Sequence, residues 1–178
     1  IKSTNPNFTL ELGAMCTDCE ITYNEGKFEV KGEPTEVAIV NASLKNGKNK
    51  NELYNVMPRK SEIPFDSNRK MMTTIHKVQS GYRVITKGAP DVLINKCVNV
   101  NKSKVQNDNL NMASKALRVI AVAYKDINVL PSKICTDTIE NDLQFVGLIG
   151  MIDPPREGVK EAVQTCKKAG IKTVMITG

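Results

Sequence analysis

Three strand-like runs follow one another across residues 56–64, 70–78 and 82–86, and only Gln79-Ser80-Gly81 separates the last two. So short a connection folds a strand back on its neighbour, whereas a parallel partner needs a crossover of a dozen or more residues. An antiparallel sheet is therefore the first thing the chain must build. Two further apolar runs rich in β-branched residues, 117–124 and 143–152, read as buried strands. Asp153-Pro154-Pro155-Arg156 follows the second, and paired prolines cannot continue a ladder, so the element changes there.

Helical spacing marks other segments. Phe8, Leu12 and Met15 recur after Asn5-Pro6 and predict a helix over 7–15. Phe28-Glu29-Val30 leads into Gly32-Glu33-Pro34-Thr35-Glu36, where Pro34 suits the first turn of a helix carrying Val37, Val40 and Leu44 and closed by Gly47. Residues 46–51 are Asn, Gly and Lys only and predict a solvated loop. Residues 90–97 predict a helix, 101–109 a polar surface loop, and 111–116 a further helical turn. Residues 157–169 place Val159, Ala162, Val163 and Cys166 on one helix face, Gly170 caps it, and 171–176 predict a buried strand. The expected fold class is α+β with α/β-type layering. Residues 1–150 form an antiparallel sheet flanked by helices, and 151–178 a truncated α/β segment.

Composition narrows the functions. No run approaches the roughly 20 apolar residues that cross a bilayer. The 25 Lys+Arg against 19 Asp+Glu give +6, which favours an anionic partner. Lysines spread along the chain, with only four Phe and four Tyr to stack on bases, argue against nucleic acid. Five cysteines is an odd number at unrelated spacings, so a disulfide framework is not expected and a reducing, cytosolic setting is. Cys16-Thr17-Asp18-Cys19 has the spacing of half a zinc site, but no second pair follows and the single His76 lies in a strand-like run; no metal site is expected. A start at Ile1 without an initiator Met suggests an excised piece of a longer chain, expected to be monomeric.

Singly, the short signatures are ordinary. Lys87-Gly88-Ala89-Pro90 sets a lysine and backbone amides at a strand end, a geometry that can face an anion or be a plain turn. In Phe65-Asp66-Ser67-Asn68-Arg69-Lys70 an aromatic stands near two cations, as an adenine and its phosphates would require, or as an exposed hairpin edge would show. Arg118 opens an apolar strand and must sit at its mouth or find a partner. Glu33 and Glu36 flank a helix start, where Thr35 or Glu36 could serve the cap.

The set and its order say more. Gly32-Glu33-Pro34-Thr35-Glu36, Phe65 to Met72, Lys87-Gly88-Ala89-Pro90-Asp91, Leu117-Arg118-Val119-Ile120-Ala121, Asp153-Pro154-Pro155-Arg156 and Met175-Ile176-Thr177-Gly178 resemble the successive signatures of P-type ATPases. The Gly-Glu-Pro-Thr-Glu and Asp-Pro-Pro-Arg forms are similar to the calcium and sodium/potassium pump branch.

The resemblance implies a nucleotide-binding (N) domain over 1–150 and a piece of the phosphorylation (P) domain, haloacid-dehalogenase-like, over 151–178. In such a pump ATP with Mg2+ phosphorylates an aspartate and drives cation transport, with calcium as the implied ion. Phe65 would stack on adenine, Glu36 would accept from its amino group, and Met72 would wall it. Lys70 and Lys87 would line the pocket, Gly88 and Ala89 would allow close backbone approach, and Arg118 would hold the phosphate end. Asp153 would belong to the inter-domain phosphate site, and Thr177 and Gly178 to the loop before a magnesium-binding Asp. The phosphorylated Asp lies outside this sequence, so no catalytic residue is expected within it. Partners would be the actuator, phosphorylation and transmembrane domains of the same pump, this domain lying on the cytoplasmic side. Ser67 stands where animal calcium pumps often have Arg, and Asp91 where Glu is commoner. The tail also admits a phosphatase- or kinase-like enzyme, and the charge a nucleic-acid module. The pump reading requires Glu36, Phe65, Lys70, Lys87 and Arg118 to converge on one cleft.

Overall fold

The computed structural model describes residues 1–98, 100–153 and 156–176. In chain order the elements are β1 (Lys2–Ser3), α1 (Pro6–Met15), β2 (Glu20–Asn24), β3 (Lys27–Lys31), α2 (Pro34–Lys45), α3 (Lys50–Val56), β4 (Arg59–Asp66), β5 (Met71–Val78) and β6 (Gly81–Gly88). There follow α4 (Pro90–Leu93), a 3-10 turn (Ile94–Lys96), β7 (Cys97–Val98), α5 (Lys102–Ala113), β8 (Arg118–Ile127), α6 (Thr136–Ile139), β9 (Leu143–Met151) and α7 (Val159–Lys168).

The main sheet runs β1-β9-β8-β6-β5-β4, antiparallel throughout, and β7 adds to β9 in parallel. A separate ribbon pairs β2 with β3. The class is α+β, as the hairpin-forming runs require.

β5 shows why the sheet sits at the centre of the molecule. Met71, Thr73 and Ile75 alternate with Met72, Thr74 and His76, and all six are buried, so both faces of the strand are covered. On one side Met72, Ile85, Val122 and Ile149 pack with Leu12 and Met15 of α1 and Ile39 and Val40 of α2. On the other, Met71, Ile75, Val84, Ala121 and Leu148 pack with Leu93, Ile94, Val105 and Met112. The buried polar side chains of β5 are paired: the Thr73 and Thr86 hydroxyls meet at 2.9 Å, and the His76 Nε2 and Thr74 hydroxyl at 2.9 Å.

Local chemistry sets the boundaries. The Asn5 side chain accepts from the Phe8 amide at 3.1 Å and Pro6 opens α1. Glu33 itself caps α2, its carboxylate accepting from the Thr35 and Glu36 amides, so the cap belongs to neither Thr35 nor Glu36.

Other boundaries differ from expectation. The solvated loop predicted over 46–51 ends early, because the Asn49 side chain caps α3 and Lys50 is already helical. That helix takes in Val56, and β4 begins only at Arg59. The loop predicted over 101–109 is helix α5, capped by the Asn101 side chain. The helix predicted over 90–97 stops at Leu93, tightens into the 3-10 turn, and gives Cys97 to β7.

The strand predicted over 171–176 is absent. These residues join no ladder, and Val174, Met175 and Ile176 are exposed, the last at 92%. α7 forms as expected with Gly170 at positive φ beyond it, yet none of its residues is buried. The truncated α/β unit is therefore represented by its helix alone. The expected change of element at Pro154-Pro155 lies outside the described residues. Among the described residues no helix is long and apolar enough to cross a membrane.

Gly81 closes the β5–β6 hairpin at φ +112°, and a Cβ there would stand 2.2 Å from the Ile127 carbonyl oxygen. Both backbone strain and the clash with the next strand oppose any side chain. Gly81→Ala is expected to cost about 1–3 kcal/mol of unfolding free energy, read from urea denaturation.

Candidate functional site

Four strand ends and one helix start enclose a cleft of about 640 Å³. β4 brings Phe65, and the start of β5, with the residue before it, brings Met72 and Lys70. The end of β6 and the residue after it bring Lys87, Gly88 and Ala89, and the start of β8 brings Arg118, Val119 and Ile120. The approach to α2 and its first turn supply Gly32, Glu33, Thr35 and Glu36, and the segment after α1 supplies Asp18. Antiparallel pairing brings these positions together: Met72 pairs with Lys87 and Lys87 with Val122, so the β5 start, β6 end and β8 start share one edge of the sheet.

An ion pair forms part of the lining. Lys87, buried to 6% exposure, donates from its ammonium to Glu36 Oε1, and Glu36 Oε2 accepts from the Asp18 amide at 2.8 Å. The Asp18 carboxylate in turn accepts from Arg59 at 2.8 Å. Met72 is fully buried beside the pair, and Val119 and Ile120 extend the apolar lining.

The remaining lining side chains include two cations and an aromatic ring. Lys70 is exposed and makes no ion pair with a described residue; its φ of +55° belongs to the tight turn between β4 and β5. Arg118 donates to the Thr35 hydroxyl at 2.8 Å and likewise has no carboxylate among the described residues. Phe65 is 63% exposed, more than an aromatic in a folded core tolerates and enough to present a ring to a ligand.

Gly88 contributes backbone. Its Cβ position would lie 2.5 Å from both the Lys70 carbonyl oxygen and Met71 Cγ, so cross-strand packing itself requires glycine. Thr35 is the one hydroxyl among the described lining residues, and it is occupied by Arg118 and Glu33. Cys19, behind Glu36, has its thiol pushed up by burial and then by the Glu36 charge. The arrangement is therefore suited to holding a ligand rather than to breaking a bond: a flat apolar ring against Phe65 and Met72, and an anionic tail toward Lys70 and Arg118.

Of the residues singled out from sequence, Glu36, Phe65, Lys70, Met72, Lys87, Gly88, Ala89 and Arg118 all line this cleft. Asp153 is exposed and does not line it. Thr177 and Gly178 lie outside the described residues. Sequence reasoning gave no site role to Asp18, Gly32, Val119 or Ile120. The last two lie inside the Leu117-Arg118-Val119-Ile120-Ala121 signature, whereas nothing local marks Asp18.

Comparison with known proteins adds an independent line. The family model described as P-type ATPase, cytoplasmic domain N, matches residues 7–158. The Calcium-transporting ATPase 1 of Lactococcus lactis is 42% identical over 189 residues, covering 98% of this chain and 21% of the relative. The Calcium-transporting ATPase of Bacillus subtilis is 41% identical over 184 residues, with 95% and 20% covered, and Calcium-transporting ATPase 1 of Bacillus cereus 39% over 181, also with 95% and 20%. The chain thus spans about a fifth of the length of the curated relatives it matches.

Proposed function

Because this chain belongs to the P-type ATPases, matching their cytoplasmic domain N, we propose that its cleft binds ATP for a cation pump. Adenine stacks on Phe65 with Met72 as the apolar wall behind it. Its amino group reaches a remaining lone pair of the Glu36 carboxylate, and Lys87 sits beside the ring. Gly88 and Ala89 bring backbone close to the base, and Lys70 and Arg118 take the phosphates. The observation that carries this reading is the convergence of one exposed ring, the Glu36 carboxylate and three cations on a single cleft, whose other two carboxylates are taken up by Arg59 and by the start of α2.

In the whole pump ATP would phosphorylate an aspartate outside this chain and the aspartyl phosphate would drive transport, with calcium as the proposed ion. Residues 1–150 are read as the N domain, facing the cytoplasm, and 151–178 as the start of the phosphorylation segment. The end of β9 at Met151 and the lack of any buried residue in α7 support that division. Asp153 would then serve the phosphate site between domains and Thr177 and Gly178 the loop before a magnesium-binding Asp, with the actuator, phosphorylation and transmembrane domains of the same pump as partners. Mg2+ would enter with ATP, but the cleft's own acids do not fit a metal site: Glu33 caps α2, Glu36 pairs with Lys87 and Asp18 pairs with Arg59.

Titrating ATP into the chain while following backbone amide resonances tests the reading. Shifts are expected around Phe65, Lys87 and Arg118, and their absence would remove the proposal. Phe65→Ala is expected to weaken ATP binding roughly tenfold or more, through lost base stacking. Its unfolding free energy should stay within about 0.5 kcal/mol of the parent, because the ring is exposed.

A further inference from the structure

Behind the cleft lies a charged group that the binding scheme does not use. Lys50, the first residue of α3, is 4% exposed and forms no ion pair with a described residue. Its ammonium donates instead to two backbone carbonyls, Thr17 at 2.9 Å and Cys19 at 2.7 Å, and lies 5.0 Å from the centroid of the Tyr54 ring. A buried ammonium without a carboxylate is costly, so its hydrogen bonds must be specific to be kept.

What those bonds enclose is informative. The residue between the two carbonyls is Asp18, whose amide donates to Glu36 Oε2. Glu36 Oε1 in turn receives Lys87. The Tyr54 hydroxyl, one turn along α3, donates to the Met15 carbonyl at 2.9 Å, and Arg59 holds the Asp18 carboxylate. Helix α3 thus grips the 15–19 segment at several points and leaves one amide of it, that of Asp18, aimed at the cleft carboxylate.

We infer that Lys50 is a positioning residue of the cleft: by clamping the Thr17 and Cys19 carbonyls it fixes the Asp18 amide, and that amide orients Glu36 toward Lys87 and the ligand. The effect on ATP rests on the nucleotide reading above, whereas the effect on the Asp18 amide does not. Burial is the main force lowering the Lys50 pKa, with the Arg59 charge adding to it, while Cys19 and the Glu36 and Asp18 carboxylates oppose it.

The test uses the 178-residue chain and the variants Lys50→Met, Lys50→Gln and Lys50→Arg, each checked for folding by circular dichroism. In the ligand-free state the Asp18 amide proton should move upfield in the Met and Gln variants, as in Glu36→Gln, and return toward the parent position with Arg. ATP affinity should fall roughly tenfold in the neutral variants and recover to within about threefold in Lys50→Arg, the size expected when a charge-assisted hydrogen bond is lost. Lys50→Met should add little to Glu36→Gln, because both act through one carboxylate. An unmoved Asp18 resonance in a folded neutral variant overturns the inference. So does failure of both neutral variants to fold while Lys50→Arg folds, which would assign Lys50 to stability alone. If the parent chain binds no ATP, the nucleotide reading fails while the Asp18 resonance still decides the positioning role.

Discussion

Replacing Glu140 with alanine is expected to lower the unfolding free energy by about 3–5 kcal/mol, the largest single effect in this chain. Glu140 follows α6 with its side chain fully inaccessible, and its Oε1 accepts from the Arg69 guanidinium and from the Thr73 hydroxyl at 2.6 Å. Thr73 passes the connection on to Thr86 of β6. Removing the carboxylate leaves a mostly buried guanidinium with only the Pro64 carbonyl, and an uncompensated buried charge is what makes such a deletion costly. Urea denaturation measures the loss. The double variant Arg69→Met/Glu140→Leu should recover most of it, since no charge then remains to be desolvated. A Glu140→Ala chain within about 1 kcal/mol of the parent would show the pair to be dispensable.

The same pair reaches the cleft. Arg69 lies in the turn between Phe65 and Lys70, and the Asp66 side chain accepts from the Arg69 amide at 2.7 Å. The turn that offers a ring and a cation to the ligand is thus tied to α6, an element far away in sequence. Nothing in Ser67-Asn68-Arg69 announces this tie. Its two halves are 71 residues apart, and only the folded chain brings them together.

That contrast describes what could be read in advance. Helices α1 and α2 and strands β5, β6, β8 and β9 were legible because their apolar residues recur at helical spacing or run together as a β-branched stretch, as the faces they turn to the core require. α5 was not, because it buries only Val105 and Met112, seven residues and two turns apart, in a run whose other residues are Lys, Asn, Gln, Ser and Asp apart from the exposed Leu110 and the closing Ala113. α3 was hidden for a related reason: its first residue is a lysine, and a lysine reads as solvent-facing until two carbonyls are found on its ammonium. The error over 171–176 has the opposite cause. An apolar run predicts burial, but a strand exists only beside a partner, and no described strand pairs with this one.

For the cleft, the lining residues other than Asp18 sit in contiguous signatures, and eight of them were named from those. Those that position the lining were not. Lys50, Arg59 and Glu140 act across 31 to 71 residues of separation through backbone carbonyls and single carboxylate oxygens, which leave no local pattern.

Acid is expected to destabilise this chain between pH 6.5 and 4 through one imidazole. His76 is fully buried in β5, its Nε2 2.9 Å from the Thr74 hydroxyl and its Nδ1 3.1 Å from the Met57 carbonyl, an arrangement that suits the neutral ring donating to Met57 and accepting from Thr74. Burial pushes its pKa down from 6.5 to about 4; the Met57 carbonyl opposes this, and the charges of Arg59 and Lys50 add to it. The Tyr54 ring, 5.4 Å away, completes the surroundings named here. Because the folded value lies below the unfolded one, the unfolded chain binds the proton first. Stability from this group is complete above about pH 6.5 and is lost as pH falls toward 4. The whole shift corresponds to about 3 kcal/mol, of which about 2 kcal/mol is already gone at pH 5. His76→Gln keeps a donor and an acceptor but cannot titrate. It should be less stable than the parent at pH 7, and the gap between the two, followed by urea denaturation, should close by about 2 kcal/mol on going to pH 5. A gap that stays constant with pH would show that His76 binds its proton equally well in the folded and the unfolded chain, so that burial does not shift it.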